Sequence, residues 1–110
     1  MTTDFTLRPI EFEILLTLAE GDRHGYGIIQ ATEARSDGAL RLETGTMYRA
    51  LRRLVADGLA KPAAEADEER RRYYAITPAG RRAAAAEAER LARLVHAARH
   101  ARLLPKGSRT

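Results

Sequence analysis

Residues 44–58 constrain this chain more than any other stretch, because their apolar and basic side chains separate onto opposite sides of a helix. Met47, Leu51, Leu54 and Val55 take the i, i+4, i+7 and i+8 positions of one buried stripe. Gly45, Tyr48, Arg49, Arg52, Arg53 and Ala56 fall on the other side. The spacing predicts a helix over residues 44–56, with Thr44 as its N-cap. Asp57-Gly58 closes it, Gly58 suiting the left-handed position after the last turn. A helix with apolar anchors behind and long donors in front suits a major groove. An ordinary solvated arginine face has the same pattern, so this helix alone does not decide between them.

The flanking segments supply the frame. Residues 7–19 read as a first helix, with Leu7, Ile10, Ile14, Leu15 and Leu18 at helical spacing. Pro9 fits the first helical position, where its missing N–H costs nothing, and Gly21-Asp22 ends the element. Phe12 and Leu16 lie off the main stripe, either widening the buried face or meeting a second chain. Residues 25–35 read as a second helix, stopped by the turn residues Ser36-Asp37-Gly38. Residues 59–62 and 71–76 read as strands joined by a polar loop over residues 63–70, which carries Glu65, Asp67, Glu68 and Glu69. Thr77 and Pro78 then open a long last helix, expected to run to about residue 104. In it Ala84, Ala88, Leu91, Val95 and Ala98 follow the 4-3-4-3 spacing of a helix pair, with Leu94 beside that seam.

The order is helix, helix, helix, strand, strand, long helix. The expected fold is mainly α with a small β hairpin: a winged helix-turn-helix over residues 1–77, a dimerisation helix over 78–104, and a disordered tail over 105–110. At 110 residues the chain suits one modest domain that would gain stability from a partner subunit.

Charge is distributed unevenly. Residues 1–40 sum to −4, residues 41–62 to +3, residues 63–77 to −1 and residues 78–110 to +6. A basic back half on an acidic front half suggests one face made for a polyanion. Arg70-Arg71-Arg72-Tyr73-Tyr74 adds to it: alternation on a strand would turn some of these arginines outward beside tyrosine, for phosphate or minor-groove contact or to protect an exposed strand edge.

Other chemistry has thin support. The chain has no cysteine, which excludes disulfides and thiolate metal sites. His96 and His100 stand four apart, but no Cys, Asp or Glu in that segment completes a metal site. His24, before Gly-Tyr-Gly, reads as a structural or capping histidine. Ser36 and Ser108 have no matched His/Asp grouping. No apolar run approaches the roughly 20 residues that span a bilayer, and the N-terminus lacks the pattern of a signal peptide. The expectations are no enzyme activity, no cofactor, no metal, no membrane and a cytoplasmic location. The rivals are a winged helix that binds protein rather than DNA, suggested by the acidic loop and front half, and membrane-surface binding through residues 90–109.

Several blocks together resemble the PadR-like family of winged-helix regulators, in order and spacing over roughly residues 7–82. They are Leu15-x-x-Leu18, His24-Gly25-Tyr26-Gly27-Ile28, Gly45-Thr46-Met47-Tyr48-Arg49-Ala50-Leu51-x-x-Leu54, Asp57-Gly58-Leu59 and Arg70-Arg71-Arg72-Tyr73-Tyr74-x-Ile76-Thr77-x-x-Gly80. The resemblance implies a homodimeric repressor of double-stranded DNA targets, with the long last helix building the dimer. It puts Tyr26, Thr46, Tyr48 and Arg49 near DNA, and Lys61 with Arg70, Arg71 and Arg72 in the wing. Thr44 and Gly45 at the helix start, and Arg52 and Arg53 along it, complete the candidate DNA face. Phe12, Leu16, Ala84, Ala88, Leu91, Leu94, Val95 and Ala98 form the candidate dimer face. A small-molecule effector has room in such a scheme, but the sequence carries no identity for it. Three departures stand out: Arg8 where a Ser or Thr cap is usual, an acidic wing loop, and an alanine-rich last helix.

Overall fold

A computed structural model of the chain describes residues 7–64 and 69–105. The chain enters α1 (Pro9–Glu20) through an extended Arg8, with Pro9 at the first helical position. An arginine has no side-chain acceptor for a helix N-terminus. Glu11 reaches back instead, and the Arg8 N–H donates to its Oε1 at 2.9 Å. Ile14, Leu15 and Leu18 on α1 are fully buried and form the centre of the core.

A two-residue strand, β1 (Arg23–His24), precedes α2 (Gly25–Arg35). His24 caps α2, its Nδ1 accepting from the Gly27 N–H at 3.0 Å. The imidazole meets the Tyr73 ring edge-to-face at 5.2 Å. The chain turns through Asp37 and Gly38, both at positive φ, while Ser36 Oγ accepts from the Leu40 N–H at 2.8 Å. α3 (Thr44–Ala56) follows with the expected bounds, but Glu43 and not Thr44 occupies its N-cap. Met47 N–H reaches the Glu43 carbonyl, so the first intrahelical bond starts one residue earlier than a threonine cap would place it. Met47, Ala50, Leu51 and Leu54 are buried. Gly58 at φ +76 closes the helix, with the Leu59 N–H on the Leu54 carbonyl and the Gly58 N–H on that of Val55. That pair of bonds is a Schellman closure, which needs a left-handed residue at Gly58.

The strands are β2 (Ala60–Ala63) and β3 (Tyr73–Ile76), and the sheet order is β1-β3-β2, antiparallel throughout. Ala60 pairs with Ile76 and Ala63 with Tyr73 in the hairpin, while Arg23 pairs with Tyr74 across the other edge. Two expectations need correction here. The second hairpin strand begins at Tyr73, so Arg70, Arg71 and Arg72 lie before it and do not alternate along it. Arg70 adopts φ +59, a conformation no strand residue takes. β3 is also the central strand, so the arginines guard no exposed edge. The edges are β1 and β2, and Pro62 on β2 is placed where its missing N–H removes no ladder bond from the interior.

α4 (Pro78–His100) starts as its sequence requires. Thr77 Oγ1 accepts from the Gly80 N–H at 2.9 Å and donates to the Gly58 carbonyl at 2.6 Å, tying the start of α4 to the end of α3. Gly80 lies against the Leu59 backbone, and a Cβ there would collide with the Leu59 carbonyl. The helix stops at His100, short of residue 104. Arg102 turns left-handed at φ +63 and the Leu103 N–H closes on the Ala98 carbonyl. The remainder of the tail, residues 106–110, lies outside the described residues, as do Glu65, Asp67 and Glu68 of the hairpin loop.

Candidate nucleic-acid interface

α3 presents its polar side to solvent because its apolar side is fully committed. Met47, Leu51 and Leu54 are at most 1% exposed, which fixes the rotation of the helix and leaves Thr44, Gly45, Arg49, Arg52 and Arg53 outward. Thr46 is half-buried and accepts from Arg49 Nη2 at 3.2 Å, which holds that guanidinium across one turn of the helix. Arg52 is exposed without an ion pair or hydrogen bond among the described residues.

Two residues of the expected face are engaged within the chain. Arg53 Nη1 donates to Glu11 Oε2 at 3.1 Å, and the Glu11 side chain is only 4% exposed while that of Arg53 is 44% exposed. This ion pair binds α1 to α3. Tyr48 is half-buried against the core, and its hydroxyl fills the space that a Cβ at Gly25 would take. Gly25 is therefore a close-approach position between α2 and α3, and Tyr48 packs one helix on the other. Beside it Tyr26 is 61% exposed, the ring projecting from the first turn of α2.

Arg41, in the connection before α3, escaped the sequence reading. Arg41 Nη2 donates to Glu33 Oε2 at 2.8 Å. That hydrogen bond, and then the coulombic attraction of Glu33, raise the guanidinium above its usual range. Only its position ahead of a basic helix could have singled it out.

The hairpin residues form a second basic set. Lys61 is exposed on the edge strand β2, and Arg70 and Arg72 are exposed before β3. Arg71 lies 3.4 Å from Glu69, an exposed ion pair. The structure joins Thr46, Arg49 and Arg53 around one cleft with Arg8, and Lys61 and Arg70–Arg72 do not line it.

The candidate dimer residues also divide. Ala84 is partly buried and packs against the chain's own core with Ala79 and Ala83. Phe12, Ala88, Leu91 and Val95 line one groove of about 410 Å³ between α1 and α4, with His96 and Arg99 at its rim. Leu16 and Ala98 are half-buried, and Leu94 is 53% exposed. Glu87 on α4 is held by Arg90 at 2.6 Å; this hydrogen bond lowers the carboxyl below the usual glutamate range, against the opposing effect of desolvation. Among the described residues no group of three or more His, Cys, Asp or Glu side chains is placed to hold a metal, and no helix is long and apolar enough to cross a membrane.

Comparison with known proteins gives a consistent set of likenesses. The model of the transcriptional regulator PadR-like family matches residues 14–86. Over 81 residues the chain is 43% identical to an uncharacterized 37.1 kDa protein in transposon TN4556 of Streptomyces fradiae, a match that takes in 74% of this chain and 22% of that protein. The chain thus spans less than a quarter of that curated relative's length. A transcriptional regulator from Clostridium thermocellum is 30% identical with a TM-score of 0.73, covering 83% of this chain and 87% of that one. A PadR family transcription regulator from Clostridium difficile is 26% identical with a TM-score of 0.71, covering 83% and 95%.

Proposed function

The chain belongs to the PadR-like family of transcriptional regulators, and from that premise we propose that it is a dimeric repressor whose α3 reads an inverted-repeat site on double-stranded DNA. The observation that carries this reading is the outward face of α3. Arg49 and Arg52 stand in solvent on a helix whose other face is locked into the core. Guanidinium groups there can contact guanine O6 and N7 bidentately or bridge phosphates. Thr44, Gly45 and Thr46 bring the backbone of the helix start close to the duplex, and Tyr26 on α2 is placed to reach a phosphate. Tyr48 and Arg53 act behind this face, Tyr48 by packing α3 on α2 and Arg53 by tying α3 to α1.

Lys61, Arg70, Arg71 and Arg72 supply sequence-independent phosphate contacts from the hairpin. The Glu69–Arg71 pair supports a wing whose acids hold its arginines at the strand base in the absence of DNA. In this scheme residues 1–77 form the DNA-binding unit and the last helix the dimerisation element. The groove between Phe12 and α4 then receives the partner chain, Leu94 and Ala98 lying beside it. A two-fold dimer imposes its symmetry on the DNA, so the half-sites stand one helical turn apart or a multiple of it. Occupying a promoter from such a site represses it, and the target places the protein in the cytoplasm.

The test is binding to selected and random DNA across a salt series. Arg49→Ala should lose about 1–3 kcal/mol on the selected site and relax base preference. Arg71→Ala should weaken both DNAs alike and lower the salt slope by about one. Retention of specific binding by both variants, or binding to anionic vesicles in place of DNA, contradicts the reading.

A further inference from the structure

The cleft between the start of α1 and α3 has a volume of about 320 Å³, and three arginines are among the residues that line it. Arg8 comes from the α1 side, Arg49 and Arg53 from the α3 side, with Glu11 between them. Glu11 does not neutralise this set. Its Oε1 accepts the Arg8 backbone N–H and its Oε2 accepts Arg53, so the one carboxylate is consumed by the helix start and by one of three arginines. Arg8 and Arg49 are left without a carboxylate partner among the described residues. Thr46 Oγ1 accepts from Arg49, which leaves the hydroxyl proton free to donate into the cleft.

We propose that this cleft is a phosphate site whose occupant is a backbone phosphodiester of the DNA lying across α3. The proposal rests on the DNA-binding reading above and extends it to Arg8, a residue outside both the recognition helix and the wing. A phosphodiester offers two non-bridging oxygens to donors that approach from different directions. Arg8 on the α1 side and the Thr46 hydroxyl on the α3 side match that need, and Arg49 beside them is left to read a base. The consequence is positional: a phosphate gripped between α1 and α3 fixes the angle at which α3 enters the groove, without itself reading a base.

The experiment is a cycle between Arg8→Ala in the full chain and single neutral methylphosphonate substitutions along the selected DNA. The Arg8 side chain is exposed and makes no hydrogen bond or ion pair among the described residues, and its backbone bond to Glu11 survives the substitution, so the variant should keep the wild-type melting temperature. The salt slope should fall by about 0.9 per half-site, with base preference unchanged. One phosphonate position in each half-site should weaken wild type and leave Arg8→Ala no weaker than it already is. Arg8→Lys should restore the slope. An unchanged slope with no coupled phosphonate position overturns the proposal. If wild type binds no DNA at any salt, the functional reading fails on its own, and the cleft is judged with inorganic phosphate. Amide shifts of Thr46 and Arg49 that are lost in Arg8→Ala would then keep the phosphate site with a free phosphate as occupant, and their absence in wild type would overturn it.

Discussion

Replacing Glu11 by Gln should lower stability and tighten non-specific DNA binding at the same time. The Glu11 side chain is almost fully enclosed, yet its two oxygens serve different masters: the Arg8 N–H at 2.9 Å and the Arg53 guanidinium at 3.1 Å. Glutamine keeps the shape and one carbonyl oxygen, so the Arg8 bond survives. Its amide nitrogen then faces Arg53, donor against donor, so the Arg53 bond is lost. Hydrogen bonds to charged groups contribute about 1.5–3 kcal/mol. Arg53 is nearly half in solvent, which screens the charge and places the loss at the low end, about 1 kcal/mol. For a domain of this size that corresponds to about 4–8 °C in Tm. The substitution also removes a negative charge from the flank of α3 and releases Arg53, so affinity for random DNA should rise, most at low salt. Thermal unfolding at neutral pH and fluorescence anisotropy at two salt concentrations read the two effects. An unchanged Tm would refute the structural role of the pair. Weaker DNA binding would show that Glu11 positions Arg53 for DNA instead of withholding it.

Three further outcomes follow from other parts of the fold. Leu91→Glu should shift the light-scattering mass from dimer towards monomer; Leu91 is already half-buried in its own chain, so the loss per chain sits near the lower end of about 1.5–3 kcal/mol, and an unchanged dimer would take α4 out of the interface. Gly80→Ala should destabilise by about 1–3 kcal/mol, because the Leu59 carbonyl is backbone and cannot move aside; a rise in Tm, from the roughly 1 kcal/mol better helix propensity of alanine, would mean that α4 shifts freely on α3. Glu87→Gln should cost stability at neutral pH but not in acid. The folded carboxyl is lowered, chiefly by its hydrogen bond from Arg90, so its contribution is present above the unfolded value and is lost as pH falls through the folded one; parallel Tm curves for wild type and variant down to pH 3 would contradict this.

What the sequence made legible was local. α2 and α3 carry their own periodicity and end on turn residues, and both appear with the expected bounds. Capping by His24, Thr77 and Gly58 depends on neighbours within four residues and was equally readable. The failures are tertiary. A two-residue strand such as β1 has no period to detect and exists because β3 offers it a partner. Arg53 looked like its neighbours on the basic face until Glu11, 42 residues away, paired with it. Tyr48 looked outward until Gly25 gave it a recess. The arginine run before β3 seemed to extend the strand, but the left-handed turn at Arg70 sets the strand start later. Glu43 displaced Thr44 as N-cap because backbone conformation, rather than side-chain preference, placed the first hydrogen bond.

The proposed function turns on the exposed face of α3 reading DNA in symmetric pairs. Selection from a pool of random duplex DNA with wild type and with Arg49→Ala tests it most directly. The account predicts that wild type enriches an inverted repeat whose half-sites lie a whole number of helical turns apart. It also predicts that Arg49→Ala enriches the same repeat with preference lost at one position in each half. No enrichment by wild type, an asymmetric single site bound with full affinity, or an Arg49→Ala preference indistinguishable from wild type would contradict it.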